Sequence, residues 1–142
     1  MRPNLGYYVQ KINDLITETE KTGEAMHPYF EEVRQSLDEK KTISADKIAE
    51  VEKEFQKGLA KYLELSQAIT ALQPPVKVIG IHKKLEKSFQ NYVAGCKEMT
   101  ASLDAENGSI DEVAFNQSEE KQDQATEVIS FCIQKMTTTL MK

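Results

Sequence analysis

Two histidines and two cysteines are the side chains best suited to metal binding or covalent chemistry in this 142-residue chain. His27 closes the run Glu24-Ala-Met-His27. That spacing sets a carboxylate and an imidazole one helical turn apart, able to share a metal in the middle of a bundle. Such a site needs a second pair, and the residue three before His82 is Ile79. No Cys-x-x-Cys or His-x-x-x-His is present to close a zinc shell. The expectation is a chain with no metal and no cofactor.

Cys96 and Cys132 each fall on an apolar stripe, where cysteine behaves as a small buried hydrophobe. A hairpin closing at Asn107-Gly108 would bring Cys96 near Glu119 and Cys132 near Lys83. The thiols would then lie too far apart along the helices for a disulfide. Cys132 would come level with His82. Nucleophilic catalysis also needs an orienting third group and an oxyanion site, and the sequence displays neither. No catalytic residue is assigned.

His82 opens the run His82-Lys83-Lys84-Leu85-Glu86. In size, net charge of −5 and possession of a histidine, the chain resembles histidine phosphotransfer domains. The resemblance implies a four-helix bundle with His82 as phosphoryl carrier, and it supplies the alternative function: a phosphotransfer-like or other small enzyme using His82. In those domains a lysine stands three residues after the histidine and a small residue follows. Here Leu85 and Glu86 hold these places, and Glu86 would repel a phosphoryl dianion.

The elements that must position these residues are helices. Apolar residues recur every three or four places: Tyr8, Ile12 and Leu15, then Met26, Phe30, Val33 and Leu37. The same rhythm returns in Ile48, Val51, Phe55, Tyr62, Leu65 and Ile69, and again in Val78, Leu85, Phe89, Cys96 and Met99. This is the seam of packed helices, not the alternation of a strand. Pro28 interrupts the first stretch without shifting its phase, so a first helix kinked or briefly broken near Gly23–Pro28 is expected. Ser44 opens the second helix as a cap, with Asp46 in the first turn, and Pro74-Pro75 stops it after Gln73. The third should run from near Val76 to about Glu106, ahead of Asn107-Gly108. Ser109-Ile-Asp-Glu112 has the form of a capping box and should open the fourth. Ser44–Ala49 and Ser109–Ala114 echo one another, an agreement that good capping explains as well as duplication does. Short loops then give one domain over residues 1–142, an all-α, antiparallel, up-down-up-down four-helix bundle.

Composition limits the function. The cluster Lys83, Lys84 and Lys87 contains Glu86, so no basic face for nucleic acid is expected. No apolar run reaches the roughly 20 residues of a membrane span, and the opening residues Met1-Arg2-Pro3-Asn4 lead into an amphipathic run, not a signal sequence. A cytoplasmic protein without a membrane partner is the expectation, and two isolated thiols agree with it. The leading functional reading is a non-enzymatic interaction, adaptor or accessory protein, acting on a protein partner or on itself through a bundle face.

One stretch conflicts with the pattern. Asn116–Gln124 holds nine residues without an apolar side chain. A heptad continued from Ile110 and Val113 turns Gln117, Lys121 (or Glu120) and Gln124 toward the core. Buried amides without partners cost about 1–3 kcal/mol each, so an exposed segment is favoured. The sharper alternative makes Gln117, Lys121 and Gln124 the candidate partner-binding residues, since such conflicts gather at functional sites.

Overall fold

A computed structural model describes residues 4–141, and Met1–Pro3, on which part of the signal-sequence reading rests, lie outside them. Among the described residues 84% are helical, in four α-helices and one short 3-10 turn: the α-helices are α1 (Leu5–Asp38), α2 (Ala45–Ala71), α3 (Ile79–Ala101) and α4 (Glu112–Leu140). No described helix is long and apolar enough to cross a membrane.

Two of the helix starts follow from local chemistry visible in the sequence. Asn4 accepts from the Tyr7 amide at the start of α1, and Ser44 accepts from the Lys47 amide at the start of α2. After α1, Lys40 takes a positive φ of 55°, and the Lys41 amide donates back to the Ser36 carbonyl at 2.9 Å. This is the αL turn that closes many helices, here without the usual glycine. Pro28 lies inside α1, yet the helix is unbroken from Leu5 to Asp38. Pro28 and Glu24, whose carbonyl loses its amide partner, are both exposed, so water can replace the missing bond.

The third and fourth helices depart from the sequence reading at their junction. Val76–Val78 forms a 3-10 turn before α3, and α3 ends at Ala101, not near Glu106. Leu103–Asp104 (β1) and Ser109–Ile110 (β2) then pair antiparallel across a turn in which Gly108 has φ 63°. Ser109 is therefore a strand residue, and Asp111 caps α4 by accepting from the Ala114 amide. The physical reason is burial: Leu103 is buried and Ile110 packs against the same cluster, which the paired strands allow and a capping box at Ser109 would not. The echo between Ser44 and Ser109 is thus not an equivalence of helix starts.

Side-chain packing sets the direction of each helix. One end of the molecule gathers Val33 from late α1, Ile48, Val51 and Phe55 from early α2, Met99 from late α3, and Phe115 from early α4. The other gathers Tyr8 and Ile12 from early α1, Leu72 beyond α2, Leu85 from early α3, and Cys132 and Met136 from late α4. Consecutive helices therefore run in opposite directions. Tyr62, Leu65, Ile69, Phe89, Val93 and Cys96 fill the middle between α2 and α3.

In α4 the buried face is Phe115, Ser118, Ala125, Cys132 and Met136. Gln117 and Gln124 are exposed, so the heptad phase that turned them inward is corrected by about one residue. The reason lies in the junction: Ile110 belongs to a strand, and the helical register starts with Phe115. Small residues then carry α4 against α3. A Cβ at Gly95 would stand 2.8 Å from Gln122 Cγ and 3.3 Å from the Ser118 carbonyl, so only glycine permits this approach. Buried Ser118 donates to the Phe115 carbonyl at 2.7 Å, leaving no orphaned hydroxyl.

Candidate functional site: a groove between the first and last helices

The seam between α1 and α4 is held at two places. Near the start of α1, the Tyr8 hydroxyl lies 2.7 Å from His82 Nδ1 and 3.4 Å from the Met136 sulfur. Near its end, Arg34 reaches Glu119 at 3.1 Å and Asn116 at 2.9 Å, while Phe30 stacks on Phe115 with centroids 5.8 Å apart. Between these clamps no hydrogen bond or ion pair joins α1 to α4 among the described residues.

The unbridged middle is a groove of about 400 Å³. Leu15 and Ile16 form one wall, Ile129 and Ile133 the other, and Leu85 and Phe89 lie at its floor. Thr19 and Thr126 stand at its mouth, and each hydroxyl donates to its own helix, to the Leu15 and Gln122 carbonyls at 2.7 and 2.8 Å. Glu20, Ser130 and Gln134 complete the lining at the solvent edge. The volume and apolar lining are those of sites that bind a ligand or an inserted side chain. A second hollow of about 210 Å³ shares Ile12 and Ile133 and extends the groove toward Leu5 and Met141. A larger depression of about 650 Å³ lies between α1 and α2, but Ala68 and Ala71 in its lining are themselves exposed, and Lys11, Asp14 and Glu18 rim it. Both hollows reach buried residues, Leu65 in the depression and Leu85 and Phe89 in the groove, but the depression has a charged rim and the groove has the more apolar lining.

His82 is part of the frame. Pro74-Pro75 ends α2, and its last carbonyls lose their regular helical partners; the Ile69 carbonyl keeps only a tightened bond from the Leu72 amide, at 3.2 Å. His82 Nε2 also donates to the Ile69 carbonyl, at 3.0 Å, and Nδ1 accepts from the Tyr8 hydroxyl. The ring is 1% exposed and ties three helices together. A phosphoryl carrier needs an accessible ring nitrogen, and both nitrogens are engaged here. His27, by contrast, is exposed and lies 3.7 Å from Glu31.

Both cysteines are free and buried, and they belong to different clusters. Burial pushes the Cys96 thiol up to about 12, partly opposed by a hydrogen bond from Tyr92. Burial also raises Cys132, with Lys84 opposing. Neither is an activated nucleophile. Among the described residues no three His, Cys, Asp or Glu side chains converge to hold a metal.

Gln117, Lys121 and Gln124 do not meet the groove. Gln124 lies 3.5 Å from Glu120 on the same helix, and Lys121 pairs with Glu98 of α3 at 2.8 Å, so this stripe turns to the α3 side of α4. The groove residues had no signal of their own in the sequence, because Leu15, Ile16, Ile129 and Ile133 read as ordinary core positions. No protein-family model, curated protein or solved structure matches the chain.

Proposed function

We propose that this is a non-enzymatic helical interaction protein, of the adaptor or accessory kind, that takes an apolar segment of a protein partner into the α1–α4 groove. The observation that carries the reading is the unbridged seam: two clamps hold α1 and α4 at a spacing that leaves Leu15, Ile16, Ile129 and Ile133 half-buried along a groove of about 400 Å³, with Leu85 and Phe89 buried beneath. An amphipathic helix lying along it would set its apolar row against Ile16 and Ile129, the helix-in-groove mode of recognition. The setting we infer is the cytoplasm, a reading supported by two unpaired, buried thiols.

A photoreactive amino acid placed at Ser130, on the groove, and separately at Gln117 and Gln124, on the outer face of α4, tests this in the native host. We expect a discrete protein adduct from Ser130, lost when Thr19→Leu fills the groove, and little from the other two sites. Adducts from Gln117 and Gln124 alone would move the binding face to the polar stripe. No adduct from any of the three would remove the interaction reading.

A further inference from the structure

Glu86 interrupts the lysine cluster in sequence but not in space. Its carboxylate turns inward, to 3.4 Å from His82 Nε2. Lys83, Lys84 and Lys87 are left on the outer edge of α3, all exposed. Lys77 extends the edge toward the 3-10 turn, and Lys135 adds to it from α4; both are exposed. None of these five lysines forms an ion pair among the described residues. Lys11, Lys40, Lys53 and Lys97 elsewhere are likewise unpaired among the described residues, so what marks these five is their grouping on one edge. The net charge of −5 therefore hides a face that is locally basic, with Glu127 as the acid at its margin.

Apolar side chains stand among these lysines. Val76 is 82% exposed, Phe131 54% and Ile79 39%. Val76, Ile79, Lys83 and Lys87 follow one another at intervals of three and four along one edge, and Lys84 stands beside Lys83 on the α4 side. Lys84 Nζ lies 5.1 Å from the centre of the Phe131 ring, which joins the α3 edge to α4. Lys135 follows Phe131 by one turn.

We propose that this α3–α4 face docks the protein on anionic phospholipid surfaces. The lysines would lie at the headgroups, with Val76, Ile79 and Phe131 reaching below them. The charge is complementary, and a lipid interface also rewards the apolar side chains. A nucleic acid would use the lysines but offers little to Val76 or Ile79. A peripheral contact of this kind needs no spanning helix, so it is compatible with the lack of one among the described residues.

The chain contains no Trp, so Val76→Trp supplies a single reporter at the proposed depth. Vesicles of phosphatidylcholine alone are compared with vesicles of phosphatidylcholine and phosphatidylserine. We expect sedimentation with the anionic vesicles only, weakened by salt, with a blue shift of the tryptophan emission. Each lysine near an anionic surface contributes about five-fold in binding, so Lys83→Gln, Lys84→Gln and Lys87→Gln together should weaken it about a hundred-fold. Phe131→Ser should weaken binding while the helical circular dichroism is unchanged, which separates lost contact from lost fold. The proposal is overturned if anionic vesicles do not bind at low salt, if the triple variant binds as well as the parent, or if vesicles bind without a blue shift. Tighter binding to a random DNA duplex than to these vesicles would also overturn it and assign the face to nucleic acid.

Discussion

Phe115→Ala should lower the free energy of unfolding by about 3–5 kcal/mol, the usual loss for a fully buried aromatic ring. Phe115 is fully buried in the cluster that joins Val33, Ile48, Val51 and Leu103. Its ring stacks on Phe30, and the Arg34 guanidinium lies 5.3 Å from its centre. Removing it leaves a cavity where the ends of all four helices meet. It also takes away the surface on which Arg34 rests while it bridges to Glu119 and Asn116. Thermal unfolding followed by circular dichroism should show a fall of roughly 10–17 °C for a domain of this size. A loss below about 1 kcal/mol would mean that this end of the bundle is not packed as described.

Native protein at pH 8 should react with a thiol reagent far more slowly at Cys96 than the unfolded chain does. Raising the thiol from 9 to about 12 lowers its thiolate fraction roughly a thousand-fold, before steric shielding is counted. In denaturant both Cys96 and Cys132 should label at once. Rapid labelling of Cys96 in the native protein would contradict its burial in the cluster of Tyr62, Phe89 and Val93. The same shift makes stability fall on the alkaline side. The folded state keeps the Cys96 proton more tightly than the unfolded chain, so the contribution of this group is constant below about pH 9 and is lost as pH rises toward about 12. Cys96 alone accounts for on the order of 4 kcal/mol across that window. Tyr8, Tyr62 and Tyr92, all raised by burial, steepen the fall.

Much of the scaffold is legible in the sequence because its signals are local. The stripe Ile48, Val51, Phe55, Tyr62, Leu65 and Ile69 is buried in full, and Ser44 caps the helix that carries it. The junction of α3 and α4 is less legible. Asn107-Gly108 does form the turn, but whether Ser109 caps a helix or pairs in a strand depends on Leu103 and Ile110 reaching a core made by the other helices. That choice also sets the phase of α4. Read from Phe115, the buried positions fall on Ser118 and Ala125, whose small size hides them from a pattern of large apolar residues. The role of His82 is similarly non-local: its partners are Tyr8 and Ile69, 74 and 13 residues away. The groove is the least legible feature, since it exists through the spacing of two helices at opposite ends of the chain.

A paired comparison of Thr19→Leu with Ser118→Leu tests the open groove most directly. Both replace a small hydroxyl side chain that donates to its own helix. Ser118 is 2% exposed and faces Gly95, so leucine there overpacks the α3–α4 contact and should cost about 1–3 kcal/mol. Thr19 borders open space between the clamps, and leucine there should be neutral or stabilising, within about 0.5 kcal/mol of the parent or above it. If denaturant unfolding shows Thr19→Leu to be as damaging as Ser118→Leu, the middle of the α1–α4 seam is closed and the binding groove does not exist.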